Sequence, residues 1–315
     1  MIILRAGSLS DGPYRIAIVG VGKIACDQHV PALRASPDFD LVATASLHGK
    51  VDGVPAYPDL PALLNDVALD AVSVCTPPGH REEIVEAALA AGLHVMLEKP
   101  PAVEIATVDA IAAAATAAGR TLFTTWHSRE AGAVEPARRW LEGRQVRAAR
   151  IEWRENIRQW HPGQEWILAA DGFGVFDPGI NALSIASAIL PSPLTVTSAT
   201  LTVPENREAP MAAHVTFTCG RAPVTAAFDF LHEGEPCWDI AVETDDGTIT
   251  LRRGGQELHV AGRSEAFDNA EYAGLYRRFA ASIRAGQSNV DATPLALVLA
   301  AQRVGVTIRG PRFDW

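Results

Sequence analysis

The sequence predicts an α/β protein in which a doubly wound parallel sheet is followed by a second α/β domain with an open, mostly antiparallel sheet. Through the first 126 residues, short apolar runs alternate with longer helical stretches. These runs are apolar at nearly every position, as strands covered by helices on both faces are. Beyond residue 190 the strand-like segments follow one another directly, which is typical of an antiparallel sheet. At roughly 150 residues per domain, the 315 residues suit two domains, which we place at 1–126 and 127–315.

Five apolar runs in the first domain predict its parallel strands, at 15–20, 41–45, 71–75, 93–97 and 121–125. Four helical segments separate them, at about 23–35, 59–66, 79–91 and 104–118. A parallel sheet needs such helices, because each connection must return the chain to the same edge of the sheet. Residues 1–14 show no periodicity and are predicted to be a loose leader.

The second domain begins with a helix predicted near 133–142, a strand at 147–154 and a helix at 178–190. Five strand-like stretches follow between 195 and 260, and Asp245-Asp246-Gly247 predicts a hairpin turn between two of them. Helices are predicted again at 270–285 and 294–305, and we expect the last to pack back on the first domain. The open sheet is expected to form a dimer or tetramer face.

Composition excludes several classes of function. The 27 lysines and arginines against 37 aspartates and glutamates give a net charge of −10, without a basic cluster. Such a protein repels a phosphate backbone, so we exclude nucleic acid as a partner and expect a neutral substrate. No apolar run reaches the ~18 residues of a membrane span, and the N-terminal apolar stretch is too short for a secretory signal. The four cysteines lack CxxC spacing, which agrees with reduced thiols in a cytoplasmic protein. His127 and His161 lack metal-ligand spacing, and we expect no metal.

The segment Gly20-Val-Gly22-Lys23-Ile24-Ala25 lies between the first predicted strand and the first helix. In such a loop the first glycine permits a tight turn, and the second lets the backbone approach a pyrophosphate. The third position needs only a small residue, which Ala25 provides. Phosphate then binds the amide groups at the helix N-terminus. This context predicts a dinucleotide-binding site.

The sequence leaves the choice between NAD and NADP open. Asp40 is 20 residues beyond Gly20, but it precedes the second strand and is expected at the end remote from the cofactor. The near end carries Ser46, Leu47 and His48, with no carboxylate to repel a 2′-phosphate and no arginine to bind it strongly. Ser46 and His48 can donate hydrogen bonds to that phosphate.

Two further motifs follow predicted strands: Cys75-Thr-Pro-Pro78 with Gly79-His80, and Glu98-Lys99-Pro100. Together with the glycine loop they resemble the glucose–fructose oxidoreductase / inositol dehydrogenase family of NAD(P)-dependent dehydrogenases. The resemblance implies a Rossmann domain and places Lys99 in the substrate site beside a proline bond that is often cis. It also implies a further set of cofactor-binding residues, namely Cys75, Thr76, Pro77, His80, Glu98 and Lys99.

In the second domain, Asp177 and Asn181 occupy the positions of the family's Asp-x-Gly-x-His motif, with asparagine in place of histidine. Spacing of four puts both on one helix face. Together with 126–129 and 160–164, this segment resembles bacterial galactose and arabinose 1-dehydrogenases. That likeness implies oxidation of D-galactose or L-arabinose pyranose at C1 to the aldonolactone. It implies catalytic roles for Lys99, Asp177 and Asn181, with His127 and Trp160 as further substrate-binding residues.

Each of these side chains also has a purely structural interpretation. Asp177 before Pro178 is a typical helix N-cap, Lys99 can extend to solvent, and Asn181 can bond backbone. The base is either Asp177 or a Lys99 whose pKa burial lowers. Two other functions remain open: an inositol-type ring-alcohol dehydrogenase, which would be expected to keep histidine at 181, and a non-catalytic NAD(P)-sensing regulator.

Overall fold

The computed structural model describes residues 12–315, so the predicted leader lies outside the described residues except for its end. Tyr14 already belongs to the first strand. In chain order the strands of the described part are β1 (Tyr14–Val19), β2 (Phe39–Ala45), β3 (Ala56–Tyr57), β4 (Ala71–Val74), β5 (His94–Glu98), β6 (Leu122–Thr125), β7 (Val146–Arg154), β8 (Leu194–Pro204), β9 (Ala212–Cys219), β10 (Ala222–Asp229), β11 (Cys237–Thr244), β12 (Gly247–Arg252), β13 (Glu257–Val260), β14 (Arg263–Ala266) and β15 (Val306–Gly310). The α-helices are α1 (Val30–Arg34), α2 (Leu60–Asp66), α3 (Arg81–Ala90), α4 (Ile105–Ala118), α5 (Val134–Leu141), α6 (Ile157–Trp160), α7 (Phe176–Ile189), α8 (Glu271–Ala285) and α9 (Thr293–Val304).

The chain forms two compact units. The first contains the described residues up to Ala102, together with Ala106–Thr125 and Tyr272–Val290. The second contains the short segment Val103–Ile105, then Trp126–Glu271 and Asp291–Trp315. The second unit is therefore not one continuous segment: Tyr272–Val290, which we had placed in the second domain, belongs to the first unit.

The first unit is built on a parallel sheet with strand order β3-β2-β1-β4-β5-β6, the order of a doubly wound dinucleotide-binding fold. Alternate residues of β1 point to opposite faces, and both faces are buried. Ile16 and Ile18 belong to one core cluster, whereas Ala17 and Val19 belong to the other. Burial on both faces explains why the predicted strands read as continuous apolar runs.

The helix α8 packs on the sheet of the first unit, although it comes late in the sequence. Its residues at helical spacing join the core cluster of Ile16 and Ile18: Tyr272, Leu275, Tyr276, Phe279 and Ile283. The last helix, α9, instead packs on β8 and α7 in the second unit. We expected the last helix, α9, to pack on the first domain, and this is wrong: the helix before it, α8, does so. The reason is that α8 carries the aromatic rings that fill the core on the Ile16 and Ile18 face of the sheet.

The second unit is built on a mixed nine-stranded sheet with the order β14-β13-β12-β11-β7-β10-β9-β8-β15. Six of its eight neighbouring pairs are antiparallel, and only β7–β10 and β15–β8 are parallel. Between Leu194 and Val260 there are six strands rather than the five predicted, because β8 to β13 are separated by short turns. The predicted hairpin is present, since Thr244 pairs with Gly247 around Asp245 and Asp246.

One face of this sheet is buried and the other is open. The strand β7 lies between β11 and β10 in the sheet. On β7, Ile151 and Trp153 are buried, whereas Arg150 is exposed. The same alternation exposes His214 on β9 and Thr225 on β10. Among residues 12–315, no helix has both the length and the apolar character needed to cross a membrane.

Candidate active site

A cavity of about 700 Å³ opens in the first unit at the carboxyl ends of β1, β2 and β4. Its lining lies at 19–22, 45–49, 58–61 and 75–77, with His80, Glu83, Ile84 and Ala87. In this strand order the direction of winding changes between β1 and β4, and such a switch point is where open α/β sheets bind ligands.

The glycine loop at the cavity has the backbone geometry that the sequence predicted. Gly20 has a φ of +91°, and a Cβ at this position would lie 2.8 Å from the backbone nitrogen of Thr76. Only glycine fits there without strain. A Cβ on Gly22 would meet nothing within 4 Å, so its backbone borders open space that a pyrophosphate can enter. Ala25 is completely buried, as the small third residue of the motif should be.

The cavity also holds a polar atom without a partner among the described residues. The Thr76 hydroxyl oxygen is buried and makes no hydrogen bond there, although buried hydroxyl groups nearly always do. A ribose or phosphate oxygen of a bound dinucleotide would supply the missing partner. With the space beside Gly22, this atom shows that the site fits NAD or NADP.

Most of the predicted cofactor residues line this cavity, namely Gly20, Gly22, Ser46, Leu47, His48, Cys75, Thr76, Pro77 and His80. Four do not: Lys23, Ile24, Glu98 and Lys99. The Lys23 ammonium pairs with Asp27 one helical turn onward, and Ile24 packs against the apolar core. Asp40 pairs in register with Arg15 near the start of β1, so it is remote from the cavity as expected.

Lys99 follows the end of β5 and is half-buried. The peptide bond between Lys99 and Pro100 is cis, as the resemblance implied. The amide of Lys99 donates to Glu98 Oε2 at 2.9 Å and to Thr125 Oγ1 at 3.1 Å. Glu98 and Thr125 therefore fix the backbone of this loop at the amide of Lys99.

A buried arginine holds the other side of this loop. Arg81, the first residue of α3, is 4% exposed. Its Nε donates to the Thr76 carbonyl at 2.7 Å, and its Nη1 donates to the carbonyls of Glu98 and Pro100. One guanidinium thus joins the loop after β4 to the loop after β5.

The Glu98 carboxylate points into the core rather than into the cavity, and is 2% exposed. Its Oε1 accepts from His29 Nε2 at 3.0 Å and from the Tyr272 hydroxyl at 2.9 Å. His29 Nδ1 lies 2.7 Å from the Tyr276 hydroxyl, which lies 2.9 Å from Ser73 Oγ. The result is a buried polar chain that joins α8, the helix after the glycine loop and the end of β5.

In the second unit, Asp177 and Asn181 lie one turn apart at the start of α7. Asp177 is 5% exposed and Asn181 is half-buried. The interpretation of Asp177 as an N-cap is wrong, because the helix begins at Phe176 and its N-cap is Val175. The backbone amide of Asp177 donates to the Gly174 carbonyl at 2.9 Å. A carboxylate buried in a first helical turn is favoured by the helix dipole.

His127 and Trp160 are placed by different neighbours in the second unit. His127 Nδ1 lies 2.6 Å from Glu271 Oε2, so the carboxylate orients its imidazole ring. Trp160 is 38% exposed and packs edge-to-face on Trp238, with ring centroids 5.0 Å apart. A partly exposed indole supported from behind is a platform for the C–H face of a sugar.

Next to this platform is a buried carboxylate that the sequence analysis did not identify. Glu155 follows β7 and is 4% exposed. Its Oε1 lies 3.1 Å from His161 Nε2, and its Oε2 accepts from Trp238 Nε1 at 2.9 Å. Trp238 stands opposite Trp153 in the antiparallel β11–β7 pair, and only that long-range register brings it here.

The other residues missed from the sequence are Arg81 and His29. A single arginine at a helix start resembles a solvated residue, so nothing marked Arg81. His29 did carry a weak signal, because it lies four residues after the buried Ala25 and shares its inward face. Within the described residues, no group of three or more histidine, cysteine or acidic side chains is arranged to hold a metal ion.

The chain matches the family described as "Oxidoreductase family, NAD-binding Rossmann fold" (GFO_IDH_MocA) over residues 14–125. It is 43% identical to galactose 1-dehydrogenase from Pseudomonas fluorescens over 308 residues, which cover 93% of this chain and 96% of that protein. The crystal structure of a D-galactose-1-dehydrogenase protein from Rhizobium etli superposes with a TM-score of 0.93 at 46% identity, covering 98% of this chain and 100% of the other.

The fold is also shared with a more distant protein. A 3-ketoreductase from Actinomadura kijaniata in complex with NADP and TDP-benzene has a TM-score of 0.82 at 21% identity, covering 95% of this chain and 100% of that chain. At this identity the likeness concerns the fold alone.

Proposed function

The chain belongs to the GFO_IDH_MocA oxidoreductase family with an NAD-binding Rossmann fold, and from this premise we propose that it oxidises D-galactose and L-arabinose at C1 to the aldonolactone. It is an NAD(P)-dependent sugar dehydrogenase, so the proposal concerns the identity of the sugar and the roles of the residues. The observation that carries it is the similarity to two galactose 1-dehydrogenases along nearly the whole chain. The earlier alternative of a non-catalytic regulator is set aside by the same similarity.

The chemistry assigns a separate task to each polar side chain. NAD(P) held at the glycine loop would supply the acceptor for the hydride that leaves C1 of the sugar. Asp177 takes the proton of the anomeric hydroxyl as general base. Lys99 donates a hydrogen bond to O1 and stabilises the negative charge that develops there. Asn181 cannot exchange protons and instead orients a ring hydroxyl, as His127 does.

The aromatic platform supports a pyranose substrate. Trp160 presents an indole face to solvent and is held by Trp238. Galactopyranose and arabinopyranose share the orientation of the hydroxyls at C2, C3 and C4 and differ only in the substituent at C5. A site that reads these hydroxyls therefore accepts both sugars.

We expect D-galactose, L-arabinose and D-fucose to be oxidised with higher kcat/KM than D-glucose or D-xylose. The inverted C4 hydroxyl of glucose leaves a polar group of the site unpaired, which costs ~1–3 kcal/mol, or about ten- to over a hundred-fold in kcat/KM. Steady-state rates of NAD(P)H formation with the five sugars and myo-inositol measure this ranking. Higher kcat/KM for glucose or xylose than for both galactose and arabinose would overturn the proposed substrate. Preferred turnover of myo-inositol would favour the ring-alcohol alternative, which the asparagine at position 181 argues against.

We also propose that both NAD and NADP support turnover. Leu47 is 80% exposed at the cavity, beside Ser46 and His48, and no lysine or arginine is among the residues that line the cavity. Leu47→Arg is expected to raise the NADP/NAD ratio of kcat/KM by about tenfold, because a guanidinium binds a phosphate through paired hydrogen bonds. Leu47→Gln is the matched control, since it adds a polar group without charge. An unchanged ratio in the arginine variant would place Leu47 away from the ribose.

Assembly and location are proposed on more general grounds. We propose that the open face of the nine-stranded sheet binds a second copy of the chain, giving a dimer or a tetramer. The four cysteines form no disulfide in the structure, which agrees with the cytoplasm as the proposed location. Sedimentation velocity of the purified protein measures the assembly directly.

A further inference from the structure

The peptide of Lys99 is held by side chains that take no part in the proposed chemistry. One of them is Glu98, which is 2% exposed and whose Oε2 accepts the amide of Lys99 at 2.9 Å. The Glu98 carboxylate is therefore directed away from the cofactor cavity and toward the backbone of the next residue. A side chain placed in this way can fix the position from which the lysine side chain starts.

The other oxygen of Glu98 is held by two donors from distant parts of the first unit. Oε1 accepts from His29 Nε2 at 3.0 Å and from the Tyr272 hydroxyl at 2.9 Å. Together with the Lys99 amide, three donors surround one buried carboxylate. Because a carboxylate only accepts hydrogen bonds, this arrangement cannot rotate without breaking at least one of them. The orientation of Glu98 is fixed by these contacts.

His29 connects this cluster to the glycine loop. It ends the π-helical turn Ala25–His29, which follows the loop directly. Burial by itself lowers the pKa of His29, but the neighbouring Cys75 and Tyr276 and its hydrogen bond with Glu98 outweigh burial and raise the pKa well above 6.5. The groups that face His29 are Cys75 after β4, Glu98 at the end of β5, Tyr272 and Tyr276 on α8. The two ring nitrogens of His29 thus contact Glu98 at 3.0 Å and the Tyr276 hydroxyl at 2.7 Å.

We propose that Glu98 is a positioning residue for Lys99, oriented by His29 and Tyr272. Its carboxylate is buried and does not line the cofactor cavity, and it acts by fixing the peptide from which the Lys99 side chain reaches the sugar O1. The inference rests on the proposed role of Lys99. It adds that correct placement of this lysine depends on the buried pair His29–Glu98 and on α8.

Glu98→Gln tests the inference while conserving the shape of the side chain. An amide can satisfy the three donors only in part, because its NH₂ group opposes one of them. We expect kcat with D-galactose to fall about tenfold or more, with the Kd for NAD(P), measured by fluorescence titration, within about threefold of wild type. If Glu98→Gln fails to bind NAD(P), Tyr272→Phe decides instead, since it removes one hydrogen bond to Glu98 and is expected to lower kcat about threefold.

Tyr276→Phe is the matched control. It removes the same hydroxyl group one turn along α8, but that hydroxyl contacts His29 and Ser73 rather than Glu98. If the cluster around Glu98 only stabilised the fold, Tyr272→Phe and Tyr276→Phe with the same decrease in Tm would show the same decrease in kcat. The inference predicts that Tyr276→Phe lowers the Tm but keeps kcat within about twofold. Equal losses of kcat in Tyr272→Phe and Tyr276→Phe would overturn it.

A double-mutant cycle separates this inference from the proposed function. If Glu98 acts through Lys99, Glu98→Gln has no further effect on the residual kcat of Lys99→Ala, because the two changes are then not additive. Equal fold losses from Glu98→Gln in both backgrounds would overturn the positioning role and leave the role of Lys99 intact. Near wild-type turnover of Lys99→Ala alone would instead overturn the proposed function.

Discussion

Lys99→Ala is expected to lower kcat for D-galactose by at least ~100-fold, the scale of one lost group that stabilises developing charge. The structure holds the backbone of Lys99 on both sides, through Glu98 and Thr125 at its amide and through Arg81 at the neighbouring carbonyls. Removing the side chain leaves these contacts in place, so the loss falls on kcat rather than on folding. Stopped-flow and steady-state measurement of NAD(P)H formation give the value.

Lys50→Ala is the control for this experiment. Lys50 is exposed and follows the cavity-lining Gly49, so the variant makes the same change of charge close to the same cavity. It is expected to keep kcat within about twofold, as surface substitutions usually have small effects. Lys99→Ala with kcat similar to that of Lys50→Ala would show that Lys99 has no part in the reaction.

Asp177→Asn is expected to lower kcat by at least ~100-fold, because a positioned general base contributes about 10²–10⁴-fold. The substitution conserves the shape of a side chain that is 5% exposed in the first turn of α7, so the helix should remain. Affinity for NAD(P) should change little, because the cofactor cavity is lined by residues of the first unit alone. Single-turnover rates and fluorescence titration with NAD(P) measure the two effects separately.

The matched control for Asp177 is Asp171→Asn, which makes the same change on an exposed carboxylate before α7. It is expected to leave kcat within about twofold of wild type. The comparison also decides which residue is the base. If Asp177→Asn turns over nearly as fast as Asp171→Asn while Lys99→Ala is inactive, Lys99 takes the proton instead.

Local features could be predicted from the sequence because they depend on neighbours in the chain. The apolar pattern is enough to identify strands buried on both faces, and β1, β2, β4, β5 and β6 lie close to the five predicted runs, whereas the two-residue strand β3 was not predicted. The glycine loop is equally local: Gly20 is required by its own φ and by its approach to Thr76. The glycine loop and the segments after β2 and β4 located nine residues that line the cavity, since the carboxyl ends of parallel strands meet at one edge, whereas the motif after β5 located none of them.

Contacts between distant residues could not be predicted, because no local period encodes them. His29 and Glu98 are 69 residues apart, and Tyr272 and Glu98 are 174 apart. Glu98 was therefore predicted to bind the cofactor from its place in a motif, whereas the fold turns its carboxylate into the core. The placement of Glu155 beside Trp238 depends in the same way on the register of β11 against β7.

By itself the sequence determined the fold class, the glycine loop and the strand ends at which the candidate residues lie. These follow from hydrophobic periodicity and from backbone requirements of single residues, which act over a few positions. The tertiary structure decided that α8 rather than α9 completes the first unit, that Asp177 lies inside α7 rather than at its cap, and that Glu98 holds Lys99 from within. Each of these depends on which side chain finds a partner in the closed core, and a buried polar group is stable only when that partner is present.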